Sequence, residues 1–318
     1  MFKGKICISR IDKIGDMILT LPVIKSVKIQ NPSLEIHILA SAYNAKVLKS
    51  IKYVDKVLLI GSNTRSFIKE IRQLRKIKYD FFINFSPNIK SFVLCFFSKS
   101  HKKATLILLS RYRNNFFSKA LLRIFAKIFC HFQYVVNRFE RLCKNQELHQ
   151  TKMMFSLIEE CKIKYSQDVS IDIDLPLEKL IFYQEKTISI HLSDKWINSF
   201  YSENNLLELI SSINNKNCKV ILNKCNNVIN KIDSSPPEAI YSIALKSSLI
   251  ISNDTGPAHI ASLANNNMIW LLNDNNVSKA NINKSKRNHR IMSTSVKNIS
   301  SKEVIEYIEK NELLKMFN

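Results

Sequence analysis

The stretch that most constrains the fold runs from residue 249 to residue 272, LIISNDTGPAHIASLANNNMIWLL. An apolar run ends at a polar turn, a helical pattern follows, and a second apolar run closes the unit. This order predicts a strand, a turn, a helix and a strand. Units of this kind build α/β folds.

The turn in this unit carries residues typical of a helix start. Asn253, Asp254 and Thr255 are all good N-cap types. Gly256 permits a tight backbone turn, and Pro257 suits the first helical position because its missing N–H is not needed there. The helix is therefore expected to start at Pro257. Its N-terminus would lie at the carboxyl end of a strand, where open α/β sheets bind ligands and where phosphate is favoured, so the turn predicts an anion site.

A second strand-to-helix turn lies near the start of the chain. Residues 6–22, ICISRIDKIGDMILTLP, are typical of a buried strand, a polar loop and a helix that carries Asp16 in its first turn. The sequence contains four glycines, and Gly15 falls in this turn as Gly256 falls in the other. Two such turns, far apart in sequence, predict two facing sites.

Several segments resemble glycosyltransferase family 9, the ADP-heptose:lipopolysaccharide heptosyltransferases. The specific matches are IGDMILTLPVIKSVK (14–28), SLEIHILAS (33–41) and SNDTGPAHIASLA (252–264). Weaker matches lie at 79–91, at His149 and at 193–210. The resemblance therefore covers most of the chain in order.

The resemblance implies the α/β architecture called GT-B, in which two Rossmann-like doubly wound domains face each other across a cleft. It also implies inverting, metal-independent transfer of a heptose or related sugar from a nucleotide-diphosphate donor, expected to be ADP-linked, to a lipopolysaccharide core or similar glycolipid acceptor. No separate cofactor is implied. The family's glycine-containing loops are missing near 223–231 and 273–276, so a non-catalytic relative that retains an anion or nucleotide site is the alternative.

The length and the strand and helix patterns indicate two domains. With 318 residues, 46% of them hydrophobic, the chain can bury a full core. The strand–helix rhythm of the first half stops around Pro176 and resumes at residue 187. We expect a basic acceptor-binding domain at 1–165, a connection at 166–186, and a nucleotide-sugar domain with a closing helix at 187–318.

Nearly all of the net charge of +22 lies in the first half of the chain. Residues 1–165 hold 31 Lys and Arg against 10 Asp and Glu, whereas residues 166–318 hold 17 against 16. Such asymmetry indicates a polyanionic partner, either nucleic acid or an acidic membrane surface, although AT-rich codon drift also adds lysine. Helices predicted at 65–77 and 119–131 each have a basic side and an apolar side, which suits a solvated face or a membrane interface. Nucleic acid is not the expected partner, because no recognised binding motif is present.

The sequence features also bear on location. There is no signal-peptide pattern at the start and no apolar run of about eighteen residues, so a cytosolic chain is expected. The seven cysteines form no CxxC pair, which predicts buried free thiols in a reducing compartment. Together with the resemblance, these features predict a protein peripheral to the inner face of the inner membrane.

Transfer of a sugar needs a base for the attacking hydroxyl and groups that stabilise the leaving diphosphate. By resemblance, Asp16 is the general base; the alternative is a first-turn aspartate that complements the helix dipole. Lys195 resembles the family lysine that helps to neutralise the donor phosphates.

The pair Asp172 and Asp174 has the DxD spacing of cation sites. The two residues alternate with apolar residues, which favours a solvent-facing strand edge, and no metal is expected.

The turn at Asp254, Thr255 and Gly256 matches the family residues that bind the donor. A carboxylate beside a diphosphate would repel it, so Asp254 is interpreted as an N-cap or as an acceptor for sugar hydroxyls. His259 either reaches the same phosphates or the sugar, or is a buried helix histidine with a satisfied ring. Gly15 and Pro257 are expected to support the two turns.

Overall fold

The computed structural model describes residues 4–49, 51–61, 64–109, 116–136, 149–166, 187–192, 203–214, 218–224, 237–274, 282 and 286–314. The chain separates into two compact units, Met1–Asp174 and Leu175–Asn318. Each unit has a parallel sheet of its own among the described residues. No helix in these ranges combines the length and the apolar character needed to cross a bilayer.

The sheet of the first unit has the strand order β3-β2-β1-β4-β5-β6. Its strands are β1 (Gly4–Arg10), β2 (Leu34–Ser41), β3 (Lys56–Ile60), β4 (Tyr79–Asn84), β5 (Ser100–Leu108) and β6 (Phe132–Val136). Its helices are α1 (Ile14–Gln30), α2 (Ala42–Leu48), α3 (Thr64–Arg75), α4 (Ile89–Phe97), α5 (Phe116–Phe129) and α6 (Gln150–Glu160). All the strand pairings are parallel.

Helices cover both faces of this sheet. Strand β1 lies between β2 and β4, and its residues Ile6, Cys7 and Ile8 are fully buried, as expected for a parallel strand with helices on both sides. On one face, α3 and α4 share an apolar cluster with Cys7, and α4 and α5 share a second cluster through Phe92 and Ala126. Helices α1 and α6 pack against each other and contribute to neither of these two clusters.

The sheet of the second unit has the order β11-β10-β9-β7-β8. Its strands are β7 (Thr187–Leu192), β8 (Lys219–Lys224), β9 (Leu249–Asn253), β10 (Asn267–Asn273) and β11 (Asn288–Ser293). Its helices are α7 (Glu203–Asn214), α8 (Pro237–Leu245), α9 (Gly256–Ser262) and α10 (Ser301–Lys310). The closing helix α10 packs on α7, and Val304 and Leu209 belong to one buried cluster.

The predicted doubly wound α/β sheets are confirmed in both units. Two strands and one α-helix are not evident from the sequence pattern. These are α4, β6 and β11. Helix α4 has the sequence IKSFVLCFF, whose short and almost wholly apolar run has no clear helical period. The strands β6 and β11 are short, and both lie at sheet edges.

Candidate functional site

The first candidate site is the turn between β1 and α1. Asp16 lies in the first turn of α1, as predicted, and its Oδ2 accepts a hydrogen bond from the backbone N–H of Lys13 (3.4 Å). The Asp16 side chain is 17% exposed, so solvent reaches part of the carboxylate. Gly15 is buried inside the first helical turn, because α1 begins at Ile14, and the prediction that Gly15 forms the turn ahead of the helix is wrong.

A buried arginine forms an ion pair with the Asp16 carboxylate. Arg10, the last residue of β1, is fully buried, and its Nη2 lies 3.1 Å from Asp16 Oδ1. Its Nε donates to the backbone oxygen of Asp16 (3.2 Å), and its Nη1 donates to the backbone oxygen of Phe85. Nη1 also lies 3.5 Å from Asp12 Oδ2. A guanidinium out of reach of water needs partners of this kind, and in return it offsets the charge of Asp16 and sets its orientation.

A second group reaches Asp16 from α6. The Gln150 side chain is almost fully buried, and its Nε2 donates to Asp16 Oδ1 (3.0 Å). Helix α6 is held against α1 by Thr151, whose Oγ1 donates to the backbone oxygen of Leu19 (3.0 Å). His149, one of the weaker family matches, caps α6 by accepting a hydrogen bond from the Thr151 N–H at Nδ1 (3.2 Å). Because Gln150 directly follows His149, the family match at His149 is the sequence feature that could have pointed to Gln150.

The loop between Arg10 and Asp16 is tied down by two asparagines. Asn44 Nδ2 donates to the backbone oxygens of Arg10 and Asp12, both at 3.1 Å. Asn88 Nδ2 donates to Asp12 Oδ1 (2.7 Å). These bonds come from α2 and from the turn before α4, so two further segments of the first unit pre-organise the turn that carries Asp16. Sequence reasoning missed Arg10, Asp12, Asn44, Asn88 and Gln150 as parts of this site.

The second candidate site is the turn between β9 and α9. Helix α9 begins at Gly256, one residue earlier than predicted, and Pro257 stands in its first turn, where a backbone N–H has no helical partner. Thr255 is the N-cap: its backbone is extended, and its Oγ1 accepts from the N–H of Ala258 (3.4 Å). The interpretation of Asp254 as the N-cap is therefore wrong, because the next residue caps the helix.

Asp254 instead pairs with the histidine one turn into the helix. Its Oδ1 lies 2.9 Å from Nε2 of His259, which is 5% exposed. The His259 ring also packs at 5.3 Å, centroid to centroid, from the ring of Trp270 on β10. This contact agrees with the alternative in which the His259 ring is satisfied inside the protein. The turn thus brings together Asp254, Thr255, Gly256 and His259.

A buried histidine lies one residue before the end of the neighbouring strand β7. His191 is fully buried, its Nε2 lies 3.3 Å from Ser189 Oγ, and its backbone oxygen accepts from Ser252 Oγ on β9 (3.0 Å). Burial lowers the pKa of His191 to about 4, because an imidazolium would lose its hydration there. The ring is therefore neutral at neutral pH. It stands beside the strand that leads into the second candidate site.

Other predicted residues lie outside the described part of the chain. They are Lys195, Asp172 and Asp174, together with most of the loop at 223–231 and two residues of the loop at 273–276. The role assigned to Lys195 stays a prediction. Within the described residues, no group of three or more His, Cys, Asp and Glu side chains is placed to hold a metal ion.

No protein-family model and no curated protein sequence matches the chain. Solved structures do match. The family 9 glycosyltransferase from Veillonella parvula DSM 2008 superposes with a TM-score of 0.75 at 13% identity, covering 98% of this chain and 97% of that one. The E. coli heptosyltransferase WaaC with ADP gives 0.73 at 13% identity, covering 96% and 99%. The E. coli ADP-heptose lipopolysaccharide heptosyltransferase II gives 0.68 at 14% identity, covering 98% and 99%.

These likenesses extend over nearly the whole length of both chains in each comparison. At such low identities they establish the fold. The predicted GT-B fold class and the resemblance to family 9 glycosyltransferases are confirmed at that level.

Proposed function

We propose that the protein is an inverting, metal-independent glycosyltransferase. It moves a heptose or related sugar from an ADP-linked donor to a lipopolysaccharide core or similar glycolipid acceptor. The observation that carries the proposal is the whole-chain likeness to WaaC, a heptosyltransferase solved with ADP and with ADP-2-deoxy-2-fluoro heptose. The Asp16 site supports it, because a partly exposed carboxylate held by buried groups suits a general base.

In the proposed reaction, Asp16 accepts the proton of the attacking acceptor hydroxyl. The hydroxyl oxygen forms a bond to the anomeric carbon of the sugar, and the bond from that carbon to the diphosphate oxygen breaks. The nucleoside diphosphate leaves with the electron pair of that bond. Attack on the face opposite the leaving group inverts the anomeric configuration. Arg10 and Gln150 keep the Asp16 carboxylate oriented throughout.

The second candidate site stabilises the leaving group in this scheme. The first backbone N–H of α9, at Gly256, faces the diphosphate, because Pro257 has no N–H and the N–H of Ala258 bonds to Thr255 Oγ1. Lys195 adds a positive charge. Asp254 accepts hydrogen bonds from sugar hydroxyls, and His259 holds its carboxylate in place. The Gly256 N–H, the positive end of the helix and a lysine supply the charge stabilisation that a metal ion supplies in other transferases.

The acceptor explains the charge of the chain. An excess of 21 positive charges in residues 1–165 suits a phosphorylated glycolipid. Such an acceptor is anchored in a bilayer, so the protein acts as a peripheral enzyme at the inner face of the inner membrane.

A thermal-shift panel with ADP, GDP, UDP and CMP tests the donor site. A ligand at one hundred times its dissociation constant adds about 2.7 kcal/mol to the free energy of unfolding. For units of this size, that gain raises the melting temperature by several degrees. We expect ADP to stabilise the protein selectively. A shift with another nucleotide would replace the proposed donor, and no shift with any of them would contradict a functional donor site.

A transfer assay with ADP-heptose and a lipopolysaccharide core acceptor tests the base. The variant Asp16→Asn keeps the side-chain shape but cannot accept the proton, so transfer should fall by about a hundredfold or more while the ADP shift remains. The control is Glu306→Gln, an exposed acidic residue on α10, which should retain the wild-type rate. An Asp16→Asn protein with the full transfer rate would rule out Asp16 as the base.

A further inference from the structure

One helical layer of the first unit presents large apolar side chains to solvent. On α5, Ile124 is 54% exposed and Ile128 is 67% exposed. They are one helical turn apart and therefore project from the same side of the helix. Arg123 and Lys127, each preceding one of the isoleucines, are also exposed. This face of α5 combines two aliphatic side chains with two cations.

The neighbouring helices extend the same pattern. Ile68 on α3 is 50% exposed, and Ile89 on α4 is 71% exposed. Helix α4 packs directly against α5 through Phe96 and Phe129, whose ring centroids are 4.5 Å apart. Further exposed cations lie on α3 and just after it, namely Lys69, Arg72, Arg75 and Lys76. We call the exposed side of α3, α4 and α5 the basic helical face.

The sequence around this face has an extreme charge balance. Between Asp80 and Glu140 it contains ten Lys and Arg and no acidic residue. That stretch includes α4, β5, α5 and β6. Any partner of the basic helical face must therefore tolerate positive charge and also accept exposed isoleucines.

We propose that the basic helical face binds the surface of an anionic phospholipid bilayer, with Ile124 and Ile128 inserted at the headgroup level. Interfacial helices place aliphatic side chains at the boundary of headgroups and acyl chains and pair their cations with lipid phosphates. A nucleic-acid backbone would use the cations but offers no apolar layer for the isoleucines. The proposal rests on the membrane location given in the proposed function and assigns the surface that binds the bilayer. Lipid binding is measured without donor or acceptor, so its failure is distinguishable from a failure of sugar transfer.

A comparable surface residue in the second unit provides a matched control. Leu207 on α7 is 59% exposed, close to the value for Ile124. Its helix contains no Lys or Arg, and Glu203 and Glu208 are exposed near it. Leu207 therefore has the apolar exposure without the cations.

Flotation of the full chain with vesicles tests the proposal. The vesicles contain either phosphatidylcholine alone or phosphatidylcholine with phosphatidylglycerol. We expect binding to the phosphatidylglycerol vesicles only, and at least about a tenfold weaker partition coefficient for the double variant Ile124→Ser/Ile128→Ser. The double variant Arg123→Gln/Lys127→Gln should bind more weakly at low salt and with a shallower salt dependence. Leu207→Ser should bind like the wild type, and melting curves confirm that each variant is folded.

Three results would overturn the proposal. The first is unchanged vesicle binding by the folded isoleucine variant. The second is binding to duplex DNA, but not to vesicles, that depends on the cations and ignores the isoleucines. The third is a wild-type protein that forms a dimer, binds no vesicles, and becomes a monomer when the isoleucines are substituted. The basic helical face would then join two copies of the chain.

Discussion

Nη2 of Arg10 lies 3.1 Å from Oδ1 of Asp16, and the arginine side chain is fully buried. Arg10 ends the strand β1 and Asp16 lies in the first turn of the next helix, so the turn between them folds the carboxylate back over the guanidinium. The proposed base is therefore oriented by a cation that solvent does not reach. Several measurable consequences depend on this turn and on its counterpart in the second unit.

Replacing Arg10 with methionine should lower the free energy of unfolding by about 3 to 5 kcal/mol, because the carboxylates of Asp12 and Asp16 would lose their buried counter-charge. Urea unfolding measures the loss. The double variant Arg10→Met/Asp16→Asn should cost less than the sum of the single changes. The control is Lys5→Met, which breaks the partly exposed pair with Glu35 and should cost about 1 kcal/mol or less. A cost for Arg10→Met equal to that of the control would contradict the assigned role.

Replacing Gln150 with glutamate puts a second carboxylate where an amide now donates to Asp16 Oδ1. Like charges at that distance disfavour ionisation of both groups. The acid limb of the pH–rate profile for sugar transfer should therefore move to higher pH. Gln150→Met removes only the hydrogen bond to the carboxylate and should move that limb in the same direction by a smaller amount. Identical pH profiles for the wild type and the Gln150→Glu variant would show that Gln150 does not act on the base.

Replacing Thr255 with alanine removes the N-cap of α9 and should cost about 1 kcal/mol of stability. The same change should weaken ADP binding, since the cap orders the turn that positions the Gly256 N–H proposed to face the diphosphate. Thr255→Ser retains the hydroxyl and serves as the control. Equal stability of the alanine and serine variants in denaturant unfolding would be inconsistent with the capping role.

Burial of His191 should make the protein less stable in acid. Its pKa is lowered from 6.5 to about 4, so between these values the unfolded chain binds a proton that the folded chain does not. Stability from this group is thus complete above about pH 6.5 and falls by about 1.4 kcal/mol per pH unit as the pH decreases toward 4. Urea unfolding at several pH values should show a shallower decline for His191→Gln. The exposed His101→Gln variant is the control and should follow the wild-type pH dependence.

The architecture could be predicted from the sequence, because alternation of apolar strands with helical periods is a local property of the chain. Residues 249–272 predicted the order of strand, helix and strand that β9, α9 and β10 show, and the start of α9 to within one residue. The helix-start residues also predicted that Asp16 would lie in the first turn of α1. The largely apolar α4 escaped prediction because its short sequence lacks a clear period.

Which side chains meet at each turn depends on how the helices and strands pack. Gln150 reaches Asp16 across 134 positions, and Asn44 and Asn88 reach the same loop from other elements. The local sequence also left three candidates for the cap of α9, and the backbone geometry selected Thr255 and turned Asp254 toward His259. The spacing of apolar residues indicates which side of a single helix or strand is buried. Hydrogen bonds between distant elements depend instead on how those elements pack. The partners of Asp16 therefore could not be predicted from the sequence.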